Sequence, residues 1–263
     1  MNDKQVWYLL CFVCGSMNIG IYNAASTLSS LEKWQEVTSQ NIAAGSVPGY
    51  KGNQMSFEAI QKGVMGVNSM GRAVSAPMSM SQCSPEFNFA EGQMHQTDVP
   101  THVALNGDGF FKIQGDGFEY YTRDGEFHIN ADNQIVNKTG DVVLGEGGPM
   151  SVDPQYGEIT VNREGLVMQG IVEVGKFSIV DVEDKSQLMR ISGGFRLNPD
   201  SQANATEVTD PDIMQGFLED SNVSPLKEMV NLISISRAFE VNHKVIQSLD
   251  EIQSKTIEVM GAT

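Results

Sequence analysis

The sequence lacks a long hydrophobic run. Its most apolar stretch, residues 6–14 (VWYLLCFVC), is far shorter than the roughly 20 residues a helix needs to cross a bilayer. The residues before it carry one Asp and one Lys, and no A-x-A-like site follows it. A membrane-spanning role is excluded on this pattern. Residues 1–16 are read as an upstream extension, and Met17, which opens MNIGIYNAAS, as the functional start. Cysteine is scarce as well. Three cysteines in 263 residues exclude a disulfide-stapled scaffold. Cys11 and Cys14 form a C-x-x-C inside the apolar run, and Cys83 stands alone, so the ligand count of a zinc site is not met. Basic residues are few: 17 Lys and Arg face 33 Asp and Glu, a formal net charge of −16. Residues 63–223 carry nine basic and 24 acidic side chains, and so hold nearly all of that charge. A surface this acidic repels phosphate backbones and excludes nucleic acid as a partner.

The motifs of catalysis are missing too. No H-E-x-x-H, G-x-S-x-G elbow or P-loop occurs. The glycines at 107, 109, 115 and 117 do not form a G-x-G-x-x-G opening a helix. In NGDGFFKIQGDG two large aromatics occupy positions where an EF-hand needs oxygen ligands. His95 and His102, with Asp98 between them, are the nearest approach to a metal or base cluster. They are read instead as loop and strand residues. The sequence therefore predicts no catalytic, metal or cofactor site, and a protein that is not an enzyme.

What is present is a three-part layout. From Ile21 to about Ala43 the pattern is helical, with Ile21, Leu28, Gln35 and Ile42 seven apart. Ala24, Ala25, Leu31 and Thr38 flank them. Gly45, Pro48 and Gly49 end this helix. Gly52 to about Lys62 is read as a shorter helical piece. Residues 63–90, rich in Gly, Ser, Met and Ala, are read as an extended linker. In the middle, acidic turn residues recur at Asp108, Asp116, Asp124, Asp132 and Asp141, between short β-prone runs such as FFKI and FEYYT. Further strands are expected at 158–161, 166–173, 175–182 and 187–197, and a loop at 198–212. Phe110, Phe111, Phe118, Tyr120, Tyr121 and Phe127 are assigned to a core. Ser224 and Pro225 then open a long helix to about Met260, with Met229, Leu232, Phe239, Ile246, Leu249 and Ile252 at helical spacings. Glu240 and Lys244 are placed for an i, i+4 pair.

The expected fold is α+β: long, coiled-coil-like terminal helices with heptad spacing flanking a central antiparallel β domain. The expected divisions are 17–62 for the N-terminal helix and Pro-Gly hinge, 63–90 for the linker, 91–212 for the β domain and 213–263 for the C-terminal helix. Both ends are nearly neutral, which suits self-association better than the acidic middle.

Three motifs, in order along the chain, resemble one family. TSQNIAAGSVPGYK resembles the N-terminal motif of the axial proteins of the bacterial flagellum, with Asn41, Pro48, Gly49, Tyr50 and Lys51 as the matching positions. LNGDGFFKIQ and YTRDGEFHINADNQIVNKTGDVVLG are similar to that family's central motif. GFLEDSNVSPLKEMVNLISISRAFEVNHKVIQSLDE is similar to its C-terminal motif, through Gly216, Leu218, Glu219, Ser221, Asn222 and Val223 and then Glu228, Met229, Ile233, Arg237, Phe239, Glu240, Lys244 and Asp250. Within the rod and hook proteins, GEGGPMSV followed by GEITVNREG is most like the proximal-rod type. The resemblance implies a structural rod subunit of the basal body, made in the cytoplasm and sent out by the flagellar type III export apparatus. Its partners would be further copies of itself and other axial proteins, its terminal helices forming an inner coiled-coil tube. The assembly surface would comprise Ile21, Leu28, Leu31, Ile42, Pro48, Gly49, Met229, Leu232, Phe239, Ile246, Leu249 and Ile252. The alternative is a cell-wall- or glycan-binding or hydrolysing module built on the β region.

Overall fold

The computed structural model describes residues 3–64, 77–200 and 204–261. The centre of the Gly/Ser/Met-rich stretch, residues 65–76, lies outside the described residues, as do the side chains of Cys11 and Cys14. Helix α1 spans Asp3–Ala43 and stops ahead of Pro48-Gly49, which cannot continue it. The strands follow in order: β1 Asn53–Val64, β2 Pro77–Phe87, β3 Met94–Gln96, β4 Val103–Asn106, β5 Phe110–Gln114, β6 Glu119–Thr122 and β7 His128–Ile129. Next come β8 Ile135–Val136, β9 Val142–Gly145, β10 Gly148–Pro149, β11 Ile159–Val161, β12 Leu166–Gln169, β13 Val172–Lys176 and β14 Ile179–Val182. The last are β15 Leu188–Ile191, β16 Gly194–Leu197, β17 Ala205–Glu207, β18 Asp212–Gln215 and β19 Phe217–Glu219. Helix α2, Pro225–Gly261, closes the chain, with proline at its first position.

The chain divides into two units. A helical unit comprises Met1–Ile42, Asn53–Glu86 and Pro225–Thr263. A β unit comprises Ala43–Gly52 and Phe87–Ser224. The β unit is built on a ten-stranded antiparallel sheet with the path β15-β16-β6-β5-β9-β8-β7, extended by β10 on β9, β14 on β5 and β17 on β14. A three-stranded sheet (β11-β12-β13) and the pairs β18-β4 and β19-β3 complete it. Alternation along β5 feeds two cores. Phe111 and Ile113 enter the larger one, with Phe127, Val143, Phe177, Ile179 and Ile213. Phe110 enters the second, with Tyr121, Val182, Leu188 and Phe195. Phe111 meets Phe127 edge-on, ring centroids 5.3 Å apart, a favoured aromatic geometry. The aromatics assigned to a core from sequence lie in one: all are buried except Phe118, which packs against the larger cluster.

In the helical unit, α1 packs against the β1–β2 hairpin. Trp34 sits edge-on to Phe57 at 5.3 Å. Asn41 clamps the start of β1, its amide donating to the Asn53 carbonyl (2.8 Å) and its side-chain oxygen accepting from the Asn53 N–H (3.0 Å). The Cys83 thiol lies 3.8 Å from the Ser30 carbonyl. One face of α2 turns to α1: Asn242 donates to the Ala24 carbonyl (2.9 Å), and Leu249 lies beside Gly20.

Three expectations are corrected. First, coiled-coil-like helices flanking a single β domain is not the observed fold. The described residues hold two α-helices, and the strands form five sheets, one of which, the β1–β2 hairpin, groups with the helices. The seven-residue spacing on α1 does not define a seam. Gln35 is exposed, and the buried face combines Ala24, Leu31 and Thr38 with Ser30, Val37 and Asn41. That face is partly polar: Asn41 bonds the hairpin backbone at Asn53, the Ser30 hydroxyl donates to the Ser26 carbonyl within α1, and Thr38 Oγ1 is buried without a hydrogen-bond partner among the described residues. Second, Gly52 to Lys62 is not helical; it lies in the extended run of β1. Third, the runs 166–173 and 187–197 are each two strands. The first breaks at Gly170, which holds φ +63°, and Ile171, a two-residue hairpin turn that starts with glycine.

Candidate functional site

The segment Val47–Gly52, which follows α1, forms the centre of the most heavily bonded polar cluster in the β unit. Gly49 holds φ +66°, and a Cβ there would fall 2.3 Å from the Arg123 carbonyl carbon. Glycine is therefore required both for the left-handed turn and for the close approach to the β6 exit. The Gly49 N–H donates to the Glu219 carbonyl at 2.7 Å. That turn drives Lys51 inward, where its side chain is only 1% exposed. The Lys51 ammonium donates to Glu219 Oε1 (2.6 Å) and to the Ala90 carbonyl (2.9 Å).

Glu219, at the end of β19, is equally buried and accepts from three directions. Its Oε1 also takes the Gly92 N–H at 2.8 Å, and its Oε2 faces Arg123 Nη1 at 3.5 Å. Arg123 further donates to the carbonyls of Leu105 (3.1 Å) and Gly107 (2.5 Å). Burial pushes the Lys51 ammonium below its ordinary range, against the opposing pull of the Glu219 carboxylate. Burial also lowers Arg123, again opposed by Glu219, though a guanidinium stays charged. Two cations thus share one buried anion, main-chain carbonyls take up further donors, and the buried Arg123 Nε is left without a hydrogen-bond partner among the described residues.

A second guanidinium closes the outer side. Arg190 of β15 stacks over the Tyr50 ring, 4.1 Å from its centroid, and lies against Phe87 and Phe195. It donates to the Lys51 carbonyl. Burial lowers the Arg190 guanidinium, and burial raises the Tyr50 phenol against the opposing Arg190 charge. A cleft of ≈ 210 Å³ lies here, lined by Pro48, Tyr50, Arg123, Arg190 and Phe195 among others.

Asn222 completes the clamp. Its Oδ1 accepts the Gly52 N–H (2.7 Å), and its amide donates to the carbonyls of Asn88 (2.7 Å) and Ala90 (2.9 Å). The Asn222 N–H donates to the Tyr50 carbonyl at 3.2 Å, and the Asn88 N–H to that of Gly52 at 2.8 Å. Three segments, 47–52, 87–92 and 219–222, are thereby stitched together. Each of them borders a point where the chain passes from one unit to the other.

A buried ion pair of this kind contributes little net stability relative to an apolar replacement, but removing one partner strands the other charge at a cost of about 3–5 kcal/mol. The cluster's chemistry is that of positioning. Most of its donors are spent on carbonyls and one carboxylate, the Nε atoms of Arg123 and Arg190 excepted, and it contains no nucleophile beside a base. Among the described residues, no group of three or more His, Cys, Asp or Glu is placed to hold a metal ion. His102 Nδ1 lies 3.0 Å from Thr97 Oγ1, and Asp98 accepts from Gln96.

The residues assigned to assembly from sequence fall in different settings. Leu31 and Gly49 are buried, and Ile21, Leu28, Ile42, Pro48, Leu232, Phe239, Ile246 and Leu249 are half-buried. Met229 and Ile252 stand 50% and 51% exposed. Pro48 and Gly49 belong to the polar clamp; the α2 residues do not. Lys51, Glu219 and Asn222 were visible in the sequence as motif positions without a role. Arg190 carried no sequence signal, being one of two arginines in the described strands.

Comparison with known proteins bears on these segments. Residues 214–259 match the model of the flagellar basal body rod FlgEFG protein C-terminal region, and residues 104–169 that of the flagellar hook protein FlgE/F/G D1 domain. The chain is 32% identical to the flagellar basal-body rod protein FlgF of Caulobacter vibrioides over 246 residues, covering 93% of this chain and 99% of that one. It is also 32% identical to FlgF of Salmonella typhimurium over 258 residues, with the same coverage. The rod protein FlgG of Buchnera aphidicola is 29% identical over 83% of this chain and 91% of its own length.

Proposed function

Because the chain belongs to the flagellar basal-body rod protein family, and is of the proximal-rod type, we propose that its α2 helix is the surface through which it joins its neighbours in the rod. The protein is a structural subunit of the basal-body rod. Its partners in this reading are further copies and other axial proteins, and it reaches them by way of the flagellar type III export apparatus. It works by packing and load transfer and not as an enzyme. The alternative of a glycan-binding or hydrolysing module draws no support from the relatives named above.

One observation carries the reading. Helix α2 is apolar on two opposite faces. Leu232, Ile235, Phe239, Ile246 and Leu249 recur at spacings of three, four or seven on the face that is at least half-buried. Leu226, Val230, Ile233, Val241, Val245 and Ile252 fill the other face and are exposed. A helix with an uncovered apolar side in the free chain gains its remaining stability from contacts outside it. Pairs of carboxylates on that side are the direct test. The double variant Ile233→Asp, Ile252→Asp should leave the stability of the β unit within about 0.5 kcal/mol of the parent, as surface changes do. It should also abolish motility and remove the protein from isolated basal bodies. Normal swimming by this variant would refute α2 as an assembly surface.

A further inference from the structure

The β12–β13 hairpin carries a feature that neither the fold nor rod assembly through α2 explains. Its turn residue Ile171 is 96% exposed, far more than any other large hydrophobic residue of the β unit. The turn geometry needs glycine at position 170 but puts no demand for a β-branched apolar residue at 171. Val172 and Tyr156 beside it are exposed too. These side chains are held on a firm base. The buried Gln169 side chain accepts the Asp153 N–H (3.0 Å) and donates to the Gly157 carbonyl (3.0 Å), pinning the Pro154–Tyr156 turn to the end of β12. The Tyr156 carbonyl reaches Gly170, 3.0 Å from where a Cβ would stand. The apolar corner is therefore prebuilt and does not collapse onto the sheet.

Its rim has one sign of charge. Asp153 lies in the pinned turn, Glu158 is brought beside Gly170 by the Ile159–Gln169 pairing, and Glu173 follows Val172. All three are exposed. The cations of the same sheet region sit elsewhere: Lys176, at the far end of β13, pairs with Glu146 at 2.6 Å, and Arg163 lies in the opposite turn, between β11 and β12.

We propose that this corner is a docking knob for a second protein that offers an apolar pocket rimmed by Lys or Arg. An apolar centre within a polar rim is the usual anatomy of a binding hot spot, and here the rim is acidic. The charge selects against the middle of a second copy of this chain, since residues 63–223 carry 24 acidic against nine basic side chains and two such surfaces repel, and its nearly neutral ends have no excess of Lys or Arg to form the rim. The inference does not rest on α2 or on the rod assignment.

The test is site-specific photo-crosslinking in intact cells. A benzoylphenylalanine is placed at position 171 of the full chain, and at the exposed Glu183 as the control position. Adducts are identified by mass spectrometry, and the thermal midpoint confirms that each variant folds. Position 171 should give several-fold more adduct than position 183, to a different protein whose crosslinked segment contains Lys or Arg. Adding Glu158→Lys and Glu173→Lys should reduce that adduct several-fold. An adduct to another copy of this chain overturns the proposal. So does equal labelling at both positions, or an adduct that the charge reversal leaves unchanged.

Discussion

The two units bury their surface in different ways. In the β unit, strand alternation sends Phe111, Ile113, Val143 and Val167 to full burial, and the aromatic rings of Phe111, Phe127 and Phe177 interlock. In the helical unit the buried side chains among the described residues include Ser30, Thr38 and Asn41 beside Ala24, Leu31, Val37 and Ile235. Much of the apolar surface of α2 stays in water. The β unit closes on its own core, and the helical unit is only partly closed. A chain can thus carry a self-sufficient fold and an unfinished one side by side, the second completed by its surroundings.

The largest expected consequence is kinetic. In the free full-length chain, amide hydrogens of Phe111–Ile113 should exchange at least about 1,000-fold more slowly than those of Val241–Val245, because a local opening of α2 exposes far less buried surface than global unfolding of the β unit. Equal protection in both segments would break the contrast and show one cooperative structure.

Next in size is the clamp. Glu219→Ala strands Lys51 and Arg123 without their carboxylate, a loss of about 3–5 kcal/mol, or on the order of 10 °C in the β unit's thermal midpoint. Exchange within α2 should hardly change. A midpoint shift below about 2 °C would mean that water or rearrangement satisfies both cations, and that the cluster is not a clamp.

The smallest effect is on acid stability. Burial of the Asp141 carboxyl is outweighed by hydrogen bonds from Thr139, Tyr120 and Asn137, which hold it below the ordinary 3.8. A carboxylate with a depressed folded-state pKa adds stability above the unfolded value, and that stability is lost as pH falls through the folded one. Burial raises Asp124 and works in the opposite direction. Wild type should therefore lose more midpoint than Asp141→Asn between about pH 4 and pH 2 in thermal melts. Parallel curves would dismiss the Asp141 contribution.

Much of this was legible in the sequence, and the reasons for the remainder are physical. The β-rich middle, its aromatic core and a helix opening at Pro225 are written in local signals: alternation, Asp-Gly turns, proline at a first turn. Residues 52–62 were misread because apolar spacing in a short run does not separate helix from strand. Their strand state depends on pairing with β2, beyond residues 65–76. The break at Gly170-Ile171 is carried by a single glycine within an otherwise continuous β-prone run. The clamp was out of reach for a different reason. Lys51 and Glu219 are 168 positions apart, and no local pattern encodes their meeting. Arg190 joins them only through the register of β15 with β16 and of β16 with β6.

The Asn222 knot has a mechanical meaning. The chain passes between its units four times, at 42/43, 52/53, 86/87 and 224/225. A shaft component under torsion passes strain from one part to another through its covalent tethers. With a single tether, the whole load falls on one backbone and concentrates where that backbone is weakest. Here four crossings share the work, and within the β unit the hydrogen bonds of Asn222, Lys51 and Glu219 join the segments 47–52, 87–92 and 219–222. A polar side chain of modest size thereby serves as the collar that turns separate cords into a cable.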